Sequence, residues 1–359
     1  MSSTKKLWLG LTALLVVSFS ALLWVGSEIH RVMPPIPEKV LTTSGDVVFT
    51  KEDIQTGRVV WQSIGGQQLG SIWGHGGYVA PDWTADWLHR EAVEILDRWA
   101  RAEYSAPGYE ALAKPEQAAL QSRLQDMLRT NTFDEANGTI VIDDDRLAAI
   151  HNVSAHYQSL FSNDPATKSL REAYAMKEAT VADAEHRRQM TAFYWWTSWT
   201  AVTQRPGKEI TYTNNWPYDP LVGNEPPSNL FMWTVFSVLF LIAGIALLGW
   251  HYAVNHSREE APLTLPATDP LAKVVVTPSM KATAKYFWVV IALFLVQILL
   301  GATTAHYQVE GQEAYGFAIA EILPYSLTRS WHTQLAVLWI ATAWLGTGLY
   351  IAPAISGHE

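Results

Sequence analysis

The chain has 359 residues, of which 49% are hydrophobic and only 16% are charged, whereas a typical soluble domain carries about 25% charged residues. Its formal net charge is −9 and no basic patch or stripe appears along it, which argues against binding to nucleic acid. The absence of cysteine excludes disulfides, iron–sulfur clusters and a C-x-x-C-H attachment site for covalent haem.

Four apolar runs are long enough to cross a bilayer, which takes about 20 residues. They comprise residues 7–26, 230–252, 286–305 and 331–354. The first run follows Lys5 and Lys6 and is longer than the apolar core of a signal peptide, which has about 7–15 residues. No A-x-A cleavage site follows it, so we interpret it as an uncleaved anchor. These runs predict an integral membrane protein with four transmembrane helices in the lipid bilayer.

Basic residues predict the orientation of the chain, because loops rich in Lys and Arg stay in the cytoplasm. Lys5 and Lys6 place the N-terminus inside, and the loop 253–285 holds four Lys or Arg residues, so it is also predicted to lie inside. The loop 306–328 holds none and is predicted to lie outside. Residues 27–229 then form one outside domain of ordinary size.

The outside domain is predicted to be mainly helical with little strand. Apolar residues recur at helical spacing in 82–104 and in 114–131, where Pro115 marks a helix start. Residues 137–145 combine a turn with a short strand, and the aspartates that end them can cap a helix over 146–161.

The last helical pattern of the domain, residues 185–202, is rich in aromatic residues. Its tryptophans at 195–199 could stack a ligand, although such clusters more often form core. His151 and His156 are five residues apart and do not share a helix face, so a common metal ion is disfavoured. Together with His186 they are interpreted as satisfied or solvated side chains.

A glycine-rich stretch, WQSIGGQQLGSIWGHGGYVAPDW, spans residues 61–83. Gly65 and Gly70 have the spacing of a phosphate-binding P-loop, but no Lys follows them, and the dinucleotide fingerprint G-x-G-x-x-G is absent. His75 has only Asp82 near it in sequence, which is too few ligands for a metal ion. The residue pattern alone leaves the role of this stretch open.

Two ionisable residues begin the fourth apolar run. His332 is placed to ligate a haem iron through a ring nitrogen, and Arg329, one turn earlier, is placed to pair with haem propionates. Ionisable groups at membrane depth are costly and often functional. Both side chains could instead extend to the membrane–water interface. Position alone favours neither interpretation over the other.

A second pair follows the third apolar run. His306 and Glu310 are four residues apart and share one face if the helix continues. An imidazole beside a carboxylate can accept protons from a bound quinol at the outer surface. A solvated pair at a helix end is the alternative, and spacing alone favours it.

Four long motifs give the chain a resemblance to a known family. They are SIGGQQLGSIWGHGGYVAPDWTADWLHRE, TNNWPYDPLVGN, TAHYQVEGQ and WHTQLAVLWIATAWLGTGLYIAPAISGHE. Together they resemble the N-terminal half of quinol-dependent bacterial nitric oxide reductases, which belong to the haem–copper oxidase superfamily. The resemblance covers nearly the whole chain and is specific because the motifs are long.

The resemblance implies a mainly α integral membrane protein with a periplasmic, α-rich cytochrome c-like domain that lacks haem c. The expected segments follow the apolar runs. They are an anchor at 1–26, the periplasmic domain at 27–229, a second transmembrane helix at 230–252, a cytoplasmic loop at 253–285, and the first two helices of the catalytic membrane domain at 286–359.

The glycine-rich stretch gains a meaning from this family. In cytochrome c-dependent relatives a C-x-x-C-H haem site precedes a G-x-G-[AG]-Y-x-A-P-[DE] turn, which corresponds here to Gly74–Asp82. The attachment position falls on Gly66–Gly70, called the attachment loop below, where both cysteines and the histidine are missing. The resemblance implies that bulky aromatic side chains fill the space, and that electrons come from membrane quinol and not from cytochrome c.

Residue by residue, the resemblance assigns roles to five positions. His332 matches an axial ligand of the low-spin haem b, while His306 and Glu310 match the quinol site. The backbone carbonyls of Gly76 and Tyr78 match a turn that helps to hold a structural calcium near the haem propionates.

The other iron ligands of the family lie on later helices. The second low-spin ligand, the high-spin haem b ligand and the non-haem iron ligands are therefore expected only with a missing C-terminal half. The chain is interpreted as the quinol-oxidising half, truncated or split, of a denitrification enzyme that reduces two nitric oxide molecules to N2O and water. It is expected in the bacterial inner membrane, with its N-terminus cytoplasmic. A membrane receptor with a periplasmic sensing domain, or an assembly partner without haem, are the alternatives.

Overall fold

A computed structural model describes residues 3–255, 267, 272, 274–309, 316–317 and 319–358. The chain forms two compact units. The first contains residues 1–57, 84–154 and 189–225, and the second contains residues 58–83, 155–188 and 226–359.

The described part of the chain is mainly helical. Its helices are α1 (Ser3–Arg31), α2 (Lys51–Ser63), α3 (Gly66–Leu69), α4 (Trp83–Tyr104), α5 (Lys114–Arg129), α6 (Asp144–Leu160), α7 (Lys168–Ala173), α8 (Ala184–Val202), α9 (Ser228–Asn255), α10 (Pro278–Ala282), α11 (Ala284–Val309) and α12 (Tyr325–Ser356). Its strands are β1 (Lys39–Thr42), β2 (Val47–Thr50), β3 (Ser71–Ile72), β4 (His75–Gly76), β5 (Phe133–Asp134) and β6 (Thr139–Ile142).

Four segments of the described chain are long and apolar enough to cross a membrane, and they confirm the predicted integral membrane fold. They are Trp8–Arg31, Ser228–Asn255, Pro278–Tyr307 and Tyr325–Ser356. The last of them begins six residues before the predicted apolar run, at Tyr325. Ser, Thr and Arg in its first turns lower the hydropathy without preventing the helix. Arg329 and His332 therefore lie within α12 and not at its start.

A small mixed sheet belongs to the first unit. Its strand order is β2-β1-β6-β5, with β1 parallel to β6 and the other neighbours antiparallel. The predicted strand near residues 139–142 is confirmed as β6. The β1–β2 hairpin was not predicted, because its two strands have four residues each and give too short an alternating pattern.

The predicted helices of the domain are confirmed and supply the core of the first unit. Pro115 lies in the first turn of α5, and the Asp143 carboxylate accepts a hydrogen bond from the Arg146 amide at the start of α6. One group of buried apolar side chains comes mainly from α4, α5 and the segment between them, with contributions from α6, α8 and the loop after it: Leu88, Ala92, Ile95, Leu96, Trp99, Ala100, Tyr109, Leu112, Leu120, Leu124, Leu128, Ala149, Val202 and Val222.

The tryptophan cluster of α8 is core. Trp195 and Trp199 are fully buried, and the Trp195 ring centroid lies 5.6 Å from that of Phe49. The indole Nε1 of Trp196 donates to the carbonyl of Pro35 at 2.9 Å. This bond fixes the segment that follows α1 onto α8. The burial of the three tryptophans confirms their interpretation as packing residues.

A buried ion pair joins α4 to α6 within the first unit. Arg146 Nε lies 2.7 Å from Glu91 Oε1, and both side chains are almost fully buried. The second carboxylate oxygen of Glu91 accepts from the indole Nε1 of Trp87 at 2.9 Å. Each oxygen of the carboxylate thus has its own donor, which is the condition under which a buried charge is tolerated. Sequence analysis did not identify this pair.

Glu91→Ala is expected to destabilise the first unit by about 3–5 kcal/mol, because it leaves the Arg146 guanidinium buried without its counter-charge. For a domain of this size the unfolding midpoint should fall by on the order of 10 °C, measured by near-ultraviolet circular dichroism of the purified chain in detergent. The matched control is Glu103→Ala on the same helix. Glu103 pairs with Arg123 at the exposed surface, so its loss should change the unfolding midpoint little. Equal midpoints for the two variants would contradict the prediction.

Arg129 binds several acceptors in the turn-rich segment before the second span. Arg129 Nη1 donates to the Gly223 carbonyl at 3.1 Å and to Asn224 Oδ1 at 2.9 Å. Its Nη2 donates to the Glu209 carbonyl at 3.0 Å and to Asn215 Oδ1 at 3.2 Å. Burial lowers the pKa of Arg129, and these neutral acceptors replace the water that its charged form has lost.

In the second unit, α11 and α12 pack along one another, and α12 also contacts α3, which lies in the attachment loop. A small cluster of buried residues lies near the start of α12: Ala175, Tyr307, Ala320 and Tyr325. Tyr307 Oη donates to the Leu323 carbonyl at 2.7 Å, and the Tyr325 amide donates to the Ala175 carbonyl at 3.3 Å. These contacts fix the beginning of α12, and hence the positions of Arg329 and His332.

Candidate functional site

The imidazole of His332 is held in one orientation by the neighbouring span. Its Nδ1 lies 3.0 Å from the backbone carbonyl oxygen of Gln297 on α11. Since a carbonyl can only accept, Nδ1 carries the proton and donates, and Nε2 keeps its lone pair. A histidine that donates one ring nitrogen to a carbonyl presents the other as a metal ligand.

The Gln297 side chain binds a second residue of α12. Its Oε1 accepts from the indole Nε1 of Trp339 at 2.6 Å. Gln297 therefore contacts α12 with its backbone and its side chain, two turns apart along that helix. Sequence analysis missed Gln297, although an amide side chain in the middle of the apolar run 286–305 is a signal that could have found it.

A glycine on α11 makes room for the imidazole ring. A Cβ atom at Gly301 would lie 2.7 Å from Cε1 and 2.8 Å from Nδ1 of His332. Any side chain here would push the ring away, so the helices could not approach as they do. The half-buried His332 ring, its backbone acceptor and this glycine fit an axial haem ligand.

Arg329 contacts the attachment loop in the second unit. Its Nη1 lies 2.5 Å from the side-chain Oε1 of Gln68. Gly77 is also close, since a Cβ atom there would lie 3.6 Å from the same nitrogen. The amide oxygen of Gln68 is neutral, so this bond orients the guanidinium without compensating its charge. Such an arginine can take a carboxylate such as a haem propionate as a further partner.

Two tryptophans occupy the space against the attachment loop. A Cβ atom at Gly66 would lie 2.3 Å from Trp61 Nε1, and one at Gly70 would lie 2.6 Å from Trp83 Nε1. Both indoles are buried, with 4% exposure for Trp61 and 1% for Trp83. The glycines are therefore required by close packing of aromatic rings and not by a phosphate group.

Further aromatic rings surround Trp83. Its ring centroid lies 6.0 Å from Tyr157, 5.6 Å from Phe161 and 6.2 Å from Tyr174, in edge-on contacts. The structure thus places bulky aromatic side chains beside the attachment loop, as the family resemblance implied. A cysteine at Gly66 or Gly70 would clash with the indoles, because its Cβ atom already meets them.

Among the described residues, no cluster of carboxylates joins the predicted calcium ligands Gly76 and Tyr78, so this site stays a prediction. Gly76 belongs to β4, and the Tyr78 side chain is 80% exposed. The Asp82 carboxylate accepts from Ser71 Oγ and from the Gly74 amide, both at 2.7 Å, so it holds its own turn. Calcium takes about 6–8 oxygen ligands, and two carbonyls alone do not form such a site.

Other metal sites find no support in the described residues, where no group of three His, Cys, Asp or Glu side chains could hold a metal ion. His151 and His186 are exposed, and His156 packs edge-on against Tyr157 at 5.3 Å. This arrangement agrees with their interpretation as satisfied or solvated side chains.

The predicted quinol residues lie at the end of α11. His306 is exposed in the last turn of that helix, directly before the buried Tyr307. Glu310 lies outside the described residues, so its pairing with His306 stays a prediction. Tyr307 anchors the helix end by donating from its hydroxyl to the Leu323 carbonyl at 2.7 Å.

Sequence comparison places these features in a family. Residues 281–359 match the profile of cytochrome c and quinol oxidase polypeptide I, which defines a haem–copper oxidase-type oxidoreductase. Residues 37–218, about half of the chain, match the cytochrome c-like domain of the nitric oxide reductase NorB. The chain therefore belongs to the NorB family of nitric oxide reductases. No curated protein matches it significantly.

Proposed function

We propose that this chain is the quinol-oxidising, haem-anchoring part of a nitric oxide reductase. The overall reaction converts two nitric oxide molecules and one quinol to N2O, water and quinone, so the quinol supplies both electrons and both protons. The family match favours this oxidoreductase over a receptor or an assembly partner without haem.

The observation that carries quinol dependence is the state of the attachment loop. It has neither the cysteines nor the histidine that covalent haem requires, and Trp61 and Trp83 pack directly on its glycines. Without a haem c there is no relay from a soluble cytochrome to the membrane. A reductant dissolved in the bilayer can approach the spans directly.

Five residues of the second unit have proposed roles in binding haem b. His332 would offer Nε2 to the iron, while Gln297 orients the ring through its carbonyl and Gly301 leaves room for it. Arg329, oriented by Gln68, pairs with a propionate. Haem b bound here supplies reversible one-electron chemistry. The backbone carbonyls of Gly76 and Tyr78 would hold a calcium ion only together with further oxygen ligands. Those ligands could come from another chain or from the segment that binds the high-spin haem b and the non-haem iron.

His306 and Glu310 are proposed to bind the quinol. An imidazole can accept a hydroxyl proton as the quinol is oxidised, and a carboxylate beside it stabilises the resulting imidazolium. The exposure of His306 at the end of a span suits a ligand that arrives through the lipid. We place this site at the outer side of a bacterial inner membrane, following the distribution of basic residues in the loops.

The choice of electron donor tests the proposal. Membranes that contain the complete enzyme should consume nitric oxide with a soluble quinol analogue and show no measurable turnover with reduced cytochrome c. A haem stain of this chain on a denaturing gel should be blank, because no covalent attachment is possible. Faster turnover with cytochrome c than with quinol would overturn the proposed donor, and a stained band would overturn the haem-less domain.

A further inference from the structure

A cavity of about 480 Å³ lies beside the end of α1, in the first unit. Its walls come from three separate segments of the sequence. Arg31 and Met33 belong to the end of α1 and the residues after it, Phe133 and Glu135 to the region of β5, and Arg205 and Lys208 to the loop after α8. Neither the haem site nor the quinol site uses any of these residues.

The charged side chains of the wall are mainly basic, with Arg31, Arg205 and Lys208 against the carboxylate of Glu135. Arg205 and Lys208 flank a tight turn, which the Lys208 amide closes by donating to the Arg205 carbonyl at 3.0 Å. Gly207 in that turn has φ of 68°, a conformation that favours glycine. The turn brings the two charges to the same cavity.

Arg205 is only partly satisfied by its protein contacts. Its Nη2 donates to the Tyr212 carbonyl at 2.7 Å and to Asn214 Oδ1 at 3.3 Å, which are neutral acceptors. Its buried Nε has no hydrogen-bond partner among the described residues. Burial lowers the pKa of Arg205, as expected for a cation without a matching counter-charge. An anion in the cavity would supply that charge.

The cavity lies at the end of the first membrane span. Arg31 is the last residue of the first membrane span, so the cavity lies at the level where the apolar run ends and lipid headgroups begin. The side chains of that span are exposed along its length and are free to contact acyl chains. The bond from Trp196 to Pro35 fixes the segment after α1 within the same unit.

We propose that this cavity binds the phosphate headgroup of an anionic phospholipid, whose acyl chains lie along α1. Guanidinium and ammonium groups form charge-assisted hydrogen bonds with phosphate oxygens. Arg205 and Lys208 contact the phosphate, whereas Arg31 is hydrogen-bonded to Glu28, whose carboxylate also attracts Lys208 more weakly. The excess of basic side chains over the carboxylate of Glu135 favours phosphatidylglycerol, which has a net negative charge, over the zwitterionic phosphatidylcholine.

Native mass spectrometry of the purified full chain in detergent tests the lipid site. The chain is titrated separately with phosphatidylglycerol and phosphatidylcholine, and one phosphatidylglycerol should bind more tightly. Lys208→Gln should weaken phosphatidylglycerol binding about fivefold, which is the usual effect of one cation near an anionic headgroup. Lys208 is exposed, so the variant should fold normally. The control is Lys114→Gln, an exposed lysine of the same unit that does not line the cavity.

Two results would overturn the lipid assignment. One is equal binding of the two lipids by the unaltered chain, and the other is equal phosphatidylglycerol affinity in the Lys208 and Lys114 variants. A third arm titrates inorganic phosphate alone. If phosphate binds in a Lys208-dependent way while the lipids are not distinguished, the cavity is a site for a free anion and the lipid is excluded.

Discussion

His332→Ala abolishes the six-coordinate low-spin haem b signal of the assembled enzyme. The expected loss is complete, because alanine has no atom that can ligate iron. The structure gives this histidine the features of a ligand: Nδ1 donates to the Gln297 carbonyl, and Nε2 keeps the lone pair that a metal needs. The span should still insert, since alanine makes α12 more apolar.

Reduced-minus-oxidised optical spectra and low-temperature electron paramagnetic resonance of the membranes measure this signal. The matched control is His251→Ala, which removes an exposed histidine from the second span and should leave the low-spin haem unchanged. If the His332 variant kept the full signal, the histidine would be an interfacial side chain and not a ligand.

A pair of glycine variants separates ligation from general damage to the helices. Gly301→Leu places a side chain where the His332 ring lies and should displace it, which weakens or removes the low-spin signal. Gly348→Leu adds the same side chain in α12, at a position with open space around it. Only the first should change the spectrum. Equal effects of both would show that the haem site responds to bulk in the spans and not to the position of the imidazole.

The four spans were predictable because each is a local property of about 20 consecutive residues. Residue contacts within the spans were not. Gln297 reaches His332 and Trp339 across 35 and 42 positions of sequence. Periodicity along one helix carries no information about which carbonyl of the next helix a ring nitrogen will face.

In the segment 27–229, too, long-range contacts could not be predicted from the sequence. The helices α4 and α6 follow from their apolar spacing, but nothing in that spacing pairs Glu91 with Arg146. In the sequence, a charged residue that the fold buries cannot be distinguished from one that stays on the surface. The glycines of the attachment loop are an intermediate case, because the family pattern located the loop while only the structure shows that Trp61 and Trp83 press against it.

His306→Ala should slow quinol-driven nitric oxide consumption about 100-fold, because loss of a general base typically costs between about 10² and 10⁴ in rate. An artificial donor that reduces haem directly does not need this proton acceptor, so its turnover should be nearly unchanged. Glu310→Gln should give a smaller loss with the same selectivity, since the amide keeps the size of the side chain and loses its charge. The assay follows nitric oxide with an electrode in membranes of the complete enzyme.

Two controls distinguish proton acceptance from damage to the end of α11. Tyr307→Phe removes the bond to the Leu323 carbonyl next to His306 but leaves the imidazole in place, so it reports what loosening this helix end does to turnover. His186→Ala removes another exposed histidine, far along the sequence, and should change nothing. If His306→Ala and Tyr307→Phe lowered turnover equally with both donors, the histidine would be structural. A selective loss with quinol in His306→Ala alone would identify it as the residue that receives the quinol proton.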